Sequence, residues 1–261
     1  MSALVVAVLG LGEAGGRLAV DLVAAGVDVR GYDPNAPDVV RVPTRTLDLE
    51  TAVAVSDVVL SVNTAKAALD AAAAALPALR ETAIYADLNT ASPELKRELA
   101  ALVAGAGARF ADVALLGPVP TGGLRAPVLA SGAGARAFAD LFGPLGMPVE
   151  VISDQAGDAA TLKLLRSVFM KGLAAAAIES VQAAEVAGRA EWLEHEIAGV
   201  IGRPFLERLL EGSRKHAARR VDEMEAARDL LLELGIEPRI ASASASLLAG
   251  LAASEHATEA G

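Results

Sequence analysis

The sequence contains no cysteine, few aromatic residues and fewer basic than acidic residues. Because cysteine is absent, the 261-residue chain can form neither a disulfide scaffold nor a thiolate zinc site, and it has no cysteine nucleophile. The formal net charge of −10 argues against a general nucleic-acid-binding role, which normally requires a basic surface. His195 and His256 lie in no metal-ligand pattern, so we expect no metal site.

Long hydrophobic runs and targeting signals are also missing. The apolar stretches 172–178 and 247–253 are too short to cross a bilayer core of ~30 Å. Residues 1–10 have neither the basic region nor the cleavage site of a signal peptide. We therefore expect a soluble cytoplasmic protein without a membrane partner.

Hydrophobic residues make up 53% of the chain, and the excess consists of alanine, valine and leucine rather than aromatic residues. In the first half, short β-branched runs alternate with alanine-rich stretches, which predicts a Rossmann-like, doubly wound α/β sheet. Strands are predicted at 4–9, 27–32, 57–62, 83–88, 109–113, 127–130 and 149–152, and helices at 17–25, 66–79 and 93–105.

The second half has a different pattern. From Asp158 onward there is no convincing strand, and the stretch to Ala187 predicts one long helix. Further helices are predicted at 191–201, 204–210, 214–234 and 239–253. The change of pattern near Ser153 predicts two domains: an N-terminal α/β domain of residues 1–153 and an all-helical C-terminal domain of residues 154–261.

A glycine-rich motif, Gly10-Leu11-Gly12-Glu13-Ala14-Gly15, follows the first predicted strand and opens the first helix. In this context the motif indicates dinucleotide binding. Gly10 permits a tight turn, Gly12 lets a pyrophosphate approach the backbone, and Gly15 lets the helix pack closely on the sheet. The N–H groups at the helix N-terminus attract the anion. A glycine-rich turn without a ligand is the alternative.

An acidic residue, Asp33, follows the second predicted strand at the distance where a carboxylate binds the adenosine ribose hydroxyls. A carboxylate there repels a 2′-phosphate, so NAD is favoured over NADP. The alternative is a structural role, because Asp33-Pro34-Asn35 is also a good turn sequence. Arg30, Arg41 and Arg45 are close enough in sequence that NADP remains possible.

The long predicted helix carries a polar stripe on one face, made of Lys163, Arg166, Ser167, Met170 and Lys171. A partly buried lysine can have its pKa lowered towards neutrality, which suits a general acid or base. Arg166 would lower the pKa of such a lysine and attract an anionic substrate. From the spacing alone, a solvated helix face with a few cations is the favoured explanation of the stripe.

Four stretches carry a family resemblance in the expected order: residues 10–15, 61–64, 87–93 and 157–167. On these, the whole chain resembles the β-hydroxyacid dehydrogenase superfamily, which includes 3-hydroxyisobutyrate, tartronate semialdehyde and 6-phosphogluconate dehydrogenases. In that family, five residues separate a glycine from the catalytic lysine that follows it. Gly157 and Lys163 have this spacing. Two helix sequences, Arg-Ser-x-x-x-Lys-Gly at 166–172 and His-x-x-Arg-Arg at 216–220, resemble those of a divergent, phosphogluconate-dehydrogenase-like NAD-binding branch of the superfamily.

The resemblance implies a role for several residues. Asn63 and Thr90 would line the nicotinamide side of the cofactor. The residues of the glycine-rich motif and Asp33 would contact its other parts. Lys163 would be the catalytic acid/base. The family's substrate-binding asparagine falls at Arg166 or Ser167 here, and these two residues, with Lys171, would hold a carboxylate or phosphate of the substrate.

Other positions depart from the family pattern. Leu116-Gly117-Pro118 stands where the substrate-binding loop usually reads Ser-Gly-Gly, which leaves Gly117 as its remaining substrate contact. In the family, a lysine of a late helix often approaches the cofactor. The corresponding position in this sequence lies near Asp222 and has lost the lysine. His216, Arg219 and Arg220 lie one turn earlier and either reach the site or pair with acids of their own helix. Arg125 is a weaker candidate for anion binding.

These observations predict an oxidoreductase that transfers a hydride between NAD, or NADP, and a small anionic hydroxy acid resembling a 3-hydroxy acid or a sugar acid. Lys163 would exchange the hydroxyl proton, and the helical domain would complete the cleft and form a homodimer. Two alternatives stay open. An imine reductase has the same fold, but such enzymes often lack the lysine, whereas a non-catalytic NAD-binding sensor needs no lysine at this position.

Overall fold

The computed structural model describes residues 4–35 and 48–259. Arg41 and Arg45, which left the choice between NAD and NADP open, lie outside the described residues. By its packing, the chain consists of an N-terminal unit, Met1–Lys163, and a helical unit, Leu164–Gly261. This division falls after Lys163 rather than after residue 153, because the first turn of the long helix is bonded to the N-terminal unit, as shown below.

A seven-stranded sheet forms the centre of the N-terminal unit in the described residues, with the strand order β2-β1-β3-β4-β5-β6-β7. All neighbouring strands are parallel except β5 and β6, which are antiparallel. The strands are β1 (Val5–Leu9), β2 (Asp28–Tyr32), β3 (Val58–Ser61), β4 (Ile84–Asp87), β5 (Arg109–Leu115), β6 (Val128–Ser131) and β7 (Val149–Ser153).

Helices connect these strands, as expected of a doubly wound sheet. They are α1 (Glu13–Ala24), α2 (Leu49–Ala54), α3 (Ala68–Ala75), α4 (Pro93–Gly105), α5 (Val119–Gly122) and α6 (Ala135–Phe142). The start of α4 shows how the sequence sets a boundary. Ser92 accepts a hydrogen bond from the Leu95 N–H through its hydroxyl, and Pro93 occupies the first helical position, where no N–H is needed.

The core lies on both faces of the sheet, because successive residues of a strand point to opposite sides. One cluster contains Val6 and Val8 of β1 together with side chains of α1 and α6. The other contains Ala7 and Leu9 together with side chains of α2, α3 and α4. A strand that is buried on both faces reads as a continuous apolar run, which is why residues 4–9 have that sequence.

The helical unit begins within α7 (Asp158–Val186) and continues through α8 (Ala190–Ile201), α9 (Arg203–Lys215), α10 (Ala217–Glu233) and α11 (Arg239–Glu259). Leu164 of α7, Met224 of α10 and Leu248 of α11 belong to one buried cluster. A second cluster joins α7 to α9 through Ile178 and Leu206. None of the helices within residues 4–35 and 48–259 combines the length and the hydropathy that a membrane crossing requires.

The predicted fold class is confirmed, and each predicted strand is present with small differences at its ends. The helices differ more from the predictions at their ends. The first helix begins at Glu13 rather than at residue 17, and the stretch 66–79 is the short helix α3 between two 3₁₀ turns. The helix predicted at 204–210 extends to Lys215, so the helix predicted at 214–234 begins only at Ala217. The short helices α2, α5 and α6 were not predicted.

Candidate active site

The carboxyl ends of β1, β3 and β4 form one edge of the sheet where the candidate residues meet. The register places Leu9 beside Ser61 and Ser61 beside Asp87, so the segments that follow these strands begin at the same level. β1 lies between β2 and β3, so the strand order changes direction at β1. In open α/β sheets, ligands bind at such a point, outside the carboxyl ends of the strands.

The glycine-rich motif forms a tight turn at this edge. Gly10 has a φ of 102°, which favours glycine, and a Cβ there would collide with the carbonyl group of Val62. A Cβ at Gly15 would collide with the carbonyl oxygen of Gly10, so close packing also requires glycine at this position. Around Gly12 the space is open, since a Cβ there would meet no atom within 4 Å.

The open space at Gly12 lies at the N-terminus of α1, where Gly12 is the N-cap residue and no side chain caps the helix. The first N–H groups of a helix lack intrahelical partners and attract an anion. Leu11 is buried in the core, Glu13 is exposed, and Ala14 is half-buried. The backbone N–H groups of the motif, rather than its side chains, therefore suit the binding of a dinucleotide pyrophosphate.

Asp33 has the structural role that its turn sequence suggested, and it also contacts the glycine-rich motif. Its Oδ2 accepts a hydrogen bond from the Leu11 N–H at 2.8 Å, and its Oδ1 accepts one from the Asn35 N–H at 2.9 Å. A carboxylate has about four acceptor positions, so about two remain after these hydrogen bonds. Arg30 forms an ion pair with Asp28 at 3.0 Å.

Asn63 is held by Asn89, a residue that the sequence analysis missed. The Oδ1 of Asn89 accepts a hydrogen bond from the Asn63 N–H at 2.7 Å, and its Nδ2 donates to the Asn63 Oδ1 at 3.0 Å. The Nδ2 atoms of both amides also lie 3.1 Å from the Ser61 hydroxyl oxygen. Asn89 lies in the stretch that carries the family resemblance, and its amide can donate and accept at once, which is the signal that could have identified it.

Lys163 contacts Thr90 in the N-terminal unit. Its Nζ donates a hydrogen bond to the Thr90 Oγ1 at 2.7 Å, although the two residues are far apart in sequence. Both side chains are half-buried. Thr90 follows β4 by a few residues, so this contact brings the ammonium group to the same edge of the sheet as the glycine-rich motif.

The segment around Gly117 is fixed against α1. The Leu124 N–H donates to the Asp21 Oδ2 at 3.1 Å, and Arg17 donates to the Pro120 carbonyl at 3.2 Å. Arg17 and Asp21 also form an ion pair with each other at 3.0 Å. Gly117 is half-buried.

In the helical unit, Ser167 and Lys171 of α7 form a network with Glu223 of α10. The Lys171 Nζ lies 2.8 Å from the Glu223 Oε1 and 3.2 Å from the Ser167 Oγ, and the Ser167 hydroxyl donates to the same carboxylate. Ser167 is 1% exposed, whereas Arg166 is exposed. Ser167 and Lys171 are thus already hydrogen-bonded within their own unit.

Burial lowers the pKa of the Lys171 ammonium, and it outweighs the Glu223 carboxylate, which raises this pKa, while Arg220 and Arg166 lower it further. Arg220 itself is half-buried and donates to the Ser213 hydroxyl at 2.5 Å. Of the two residues that the sequence analysis grouped with Arg220, His216 is the C-cap residue of α9, and Arg219 is exposed.

We expect that Glu223→Gln lowers the free energy of unfolding by about 3 kcal/mol at pH 7, because one partner of a mostly buried ion pair is removed. The pKa of Lys171 is lowered in the folded protein, so the unfolded chain binds this proton more tightly, and stability rises with pH towards the unfolded pKa of about 10.4. Without Glu223 the pKa of Lys171 falls further. The stability deficit of the variant should therefore shrink between pH 7 and pH 10.

Urea denaturation at both pH values measures this effect. Glu225→Gln is the matched control, because Glu225 is an exposed residue of the same helix and its replacement should change stability little at either pH. A deficit that grows as the pH rises would contradict the coupling between Glu223 and Lys171.

Comparisons with known proteins identify two sequence families along the chain. Residues 5–141 match the model of a family described as the NAD binding domain of 6-phosphogluconate dehydrogenase. Residues 184–251 match DUF1932, a domain of unknown function. These two regions correspond to most of the sheet-containing unit and to a large part of the helical unit.

Individual proteins are similar over most of the chain. A conserved protein of unknown function, MTH1747, whose structure shows similarity with 3-hydroxyacid dehydrogenases, is 31% identical; the match covers 95% of this chain and 96% of that chain, with a TM-score of 0.72. An uncharacterized 28.5 kDa protein in the 7S RNA 5′ region of Methanothermus fervidus is 29% identical over 186 residues, 70% of this chain and 71% of that protein.

The fold is also similar to that of a 3-hydroxyisobutyrate dehydrogenase of Mycobacterium tuberculosis, whose structure was determined with L-serine. That match covers 97% of this chain and 94% of the other, with a TM-score of 0.82. The sequence identity of 22% is low, so this likeness shows a common fold alone.

Proposed function

Because the chain belongs to the family of the NAD binding domain of 6-phosphogluconate dehydrogenase, whose model matches residues 5–141, we propose that it is a dehydrogenase of a small anionic hydroxy acid. Its cofactor is a nicotinamide dinucleotide, NAD or NADP, as the family model indicates. The reaction, the substrate class and the roles of individual residues are the proposal. The main support for the proposal is the contact between Lys163 and Thr90, because that contact brings an amine to the edge of the sheet where the glycine-rich motif lies.

The residues at this edge suit a dinucleotide. The open space at Gly12 and the uncapped start of α1 would receive the pyrophosphate. Asp33 would accept hydrogen bonds from the adenosine ribose, and its negative charge favours NAD over NADP. Asn63 and Thr90 would contact the nicotinamide side, which supplies or accepts the hydride when the cofactor is bound.

In this proposal Lys163 holds and moves a proton at its Nζ atom. In the oxidation direction the neutral amine accepts the proton of the substrate hydroxyl, and in the reduction direction the ammonium returns it. The hydroxyl of Thr90 accepts a hydrogen bond from the amine, so it orients the Nζ atom towards the edge of the sheet. An ordered amine loses less entropy in the reaction than a freely rotating one.

The acid group of the substrate requires a cation. Arg166 follows Lys163 by about one turn of α7 and is exposed, so we propose that it binds this group. Ser167 and Lys171 would support Arg166 from their network with Glu223, and Gly117 would contribute its backbone.

We further propose a homodimer formed through the helical unit, where the large apolar side chains of Phe169 and Trp192 are exposed. Sedimentation velocity tests this proposal, and a monomer would contradict it.

The fluorescence of NADH, measured with and without a panel of candidate substrates, tests the proposed function. The panel contains small hydroxy acids with NAD or NADP, and the matching aldehyde or keto acids and imines with NADH or NADPH. We expect turnover with at least one small anionic hydroxy acid, with NAD preferred.

Other outcomes would contradict the proposal in different ways. Turnover of imines alone would identify a reductase of C=N bonds. Binding of NADH with no turnover of any member of the panel would favour a non-catalytic NAD-binding sensor.

A further inference from the structure

The N-terminal unit contains a buried lysine between two buried carboxylates, and none of the three has a part in the proposed function. The Nζ atom of Lys96, on α4, lies 2.6 Å from the Oδ2 of Asp87 and 2.9 Å from its carbonyl oxygen. The same atom lies 3.1 Å from the Oδ1 of Asp112. Lys96 is 1% exposed and both aspartates are 0% exposed, which is rare for charged residues.

Stability alone is a weak explanation for this cluster. Removing charges from water is unfavourable, and replacing a buried ion pair by apolar residues of similar size is often neutral or stabilising. Burial by itself would lower the pKa of Lys96, but the two carboxylates more than compensate, and the pKa is raised above its ordinary value. Lys96 therefore stays charged at neutral pH and provides a fixed anchor for both carboxylates.

One carboxylate connects the cluster to the start of α7. The Oδ2 of Asp112 accepts hydrogen bonds from the Ala160 N–H at 3.0 Å and from the Ser131 hydroxyl at 3.2 Å. The Ser131 Oγ in turn accepts a hydrogen bond from the Ala159 N–H at 3.0 Å. These two N–H groups belong to the first turn of the helix, where no intrahelical partner exists, so their partners set the position of that turn. Lys163 follows about one turn later.

The other carboxylate connects the cluster to Asn63. The Oδ1 of Asp87 accepts a hydrogen bond from the Nδ2 of Asn89 at 2.5 Å. Asn89 is 6% exposed and binds the backbone N–H and the side chain of Asn63, as described above. A continuous chain of hydrogen bonds and ion pairs thus extends from the first turn of α7 to the end of β3.

We propose that Lys96, Asp87 and Asp112 are positioning residues, which fix Lys163 through the first turn of α7 and fix Asn63 through Asn89. This inference rests on the proposed function, since it takes Lys163 as the acid/base and Asn63 as a cofactor contact. The cluster has two arms. The helix arm consists of Asp112 and Ser131, and the cofactor arm consists of Asp87 and Asn89.

The two arms allow a test that does not remove the buried charges. Lys96→Met would leave two carboxylates facing each other in the core, so this variant is expected to fold poorly. Ser131→Ala removes one hydroxyl from the helix arm, and Asn89→Ala interrupts the cofactor arm. Ser56→Ala is the matched control, because Ser56 is also 0% exposed and its hydroxyl donates to the Ala52 carbonyl, away from the cluster.

Three quantities are measured for each variant. They are the pH profile of kcat, the Kd for NADH, and the titration of the Lys163 amine by NMR of the ¹³C-dimethylated protein without cofactor, with Lys163→Met to assign the signal. For Ser131→Ala we expect a kcat lower by about 10-fold, a displaced pH profile and a displaced amine titration, with the Kd changed less than about twofold.

For Asn89→Ala we expect the Kd for NADH to rise by about 10-fold, while the titration of Lys163 stays as in the parent protein. Ser56→Ala should lose thermal stability to a degree similar to Ser131→Ala but leave all three quantities unchanged. A Ser131→Ala variant that matches Ser56→Ala in every measurement would overturn the proposal and leave the cluster a purely structural one.

The failure of the proposed function gives a different result. If Lys163→Met retains its turnover, Lys163 is not the acid/base, but the amine titration needs no turnover and still decides the positioning role. A displaced titration in Ser131→Ala then supports that role, and an unchanged one overturns it.

Discussion

Lys163→Met is expected to lower kcat by about 100-fold or more, while the Kd for NADH stays within about twofold of the parent value. Methionine keeps the length and most of the apolar volume of the lysine side chain but cannot hold a proton. The Thr90 hydroxyl loses the donor that lies 2.7 Å away, which affects the orientation of one side chain and not the glycine-rich motif. The loss therefore falls on the chemical step.

Steady-state kinetics with the substrate found in the panel, together with fluorescence titration of NADH, measure the two quantities. Lys215→Met is the control, because Lys215 is an exposed lysine in the last turn of α9, and its replacement should leave both quantities unchanged. Near-normal turnover of Lys163→Met would refute the acid/base role. A large rise in the Kd for NADH would instead assign Lys163 to cofactor binding.

The parts of the fold that local sequence determines could be predicted well. The continuous apolar runs of the parallel strands mark burial on both sheet faces, and the glycine positions mark turns that no other residue adopts easily. The start of α4 could be predicted to the residue, because Ser92 and Pro93 act on neighbouring backbone groups. Amphipathic helices as short as α2 and α6 escaped prediction, since so few turns give little periodicity.

The candidate site was less predictable, because it depends on pairings between distant residues. The stripe on α7 correctly grouped Ser167 and Lys171, but the spacing gave no sign that Glu223 of another helix would bind both. Likewise, Lys96 looks in the sequence like one more helix-surface lysine, and only the packing of α4 on β4 and β5 buries it between Asp87 and Asp112. Long-range pairings of this kind are set by tertiary packing.

Gly12→Ala is expected to raise the Kd for NADH by about 10- to 100-fold, which corresponds to about 1.4 to 2.8 kcal/mol, without a loss of folded protein. The added methyl group meets no protein atom within 4 Å, and the φ of −65° at Gly12 is accessible to alanine. The methyl group would, however, occupy the space that the pyrophosphate needs in order to reach the N–H groups of α1. The cost therefore appears only when the cofactor binds.

Two further glycine variants separate cofactor binding from folding. Gly105→Ala, at the end of α4, also meets no atom within 4 Å, so it should not lower stability and should leave the Kd for NADH unchanged. Gly10→Ala should lower the melting temperature, because its Cβ would collide with the Val62 carbonyl and its φ of 102° disfavours alanine. If Gly12→Ala bound NADH as tightly as the parent protein, the pyrophosphate could not lie against the start of α1. The glycine-rich motif would then be a structural turn, and the cofactor would have to be held from another part of the sheet edge.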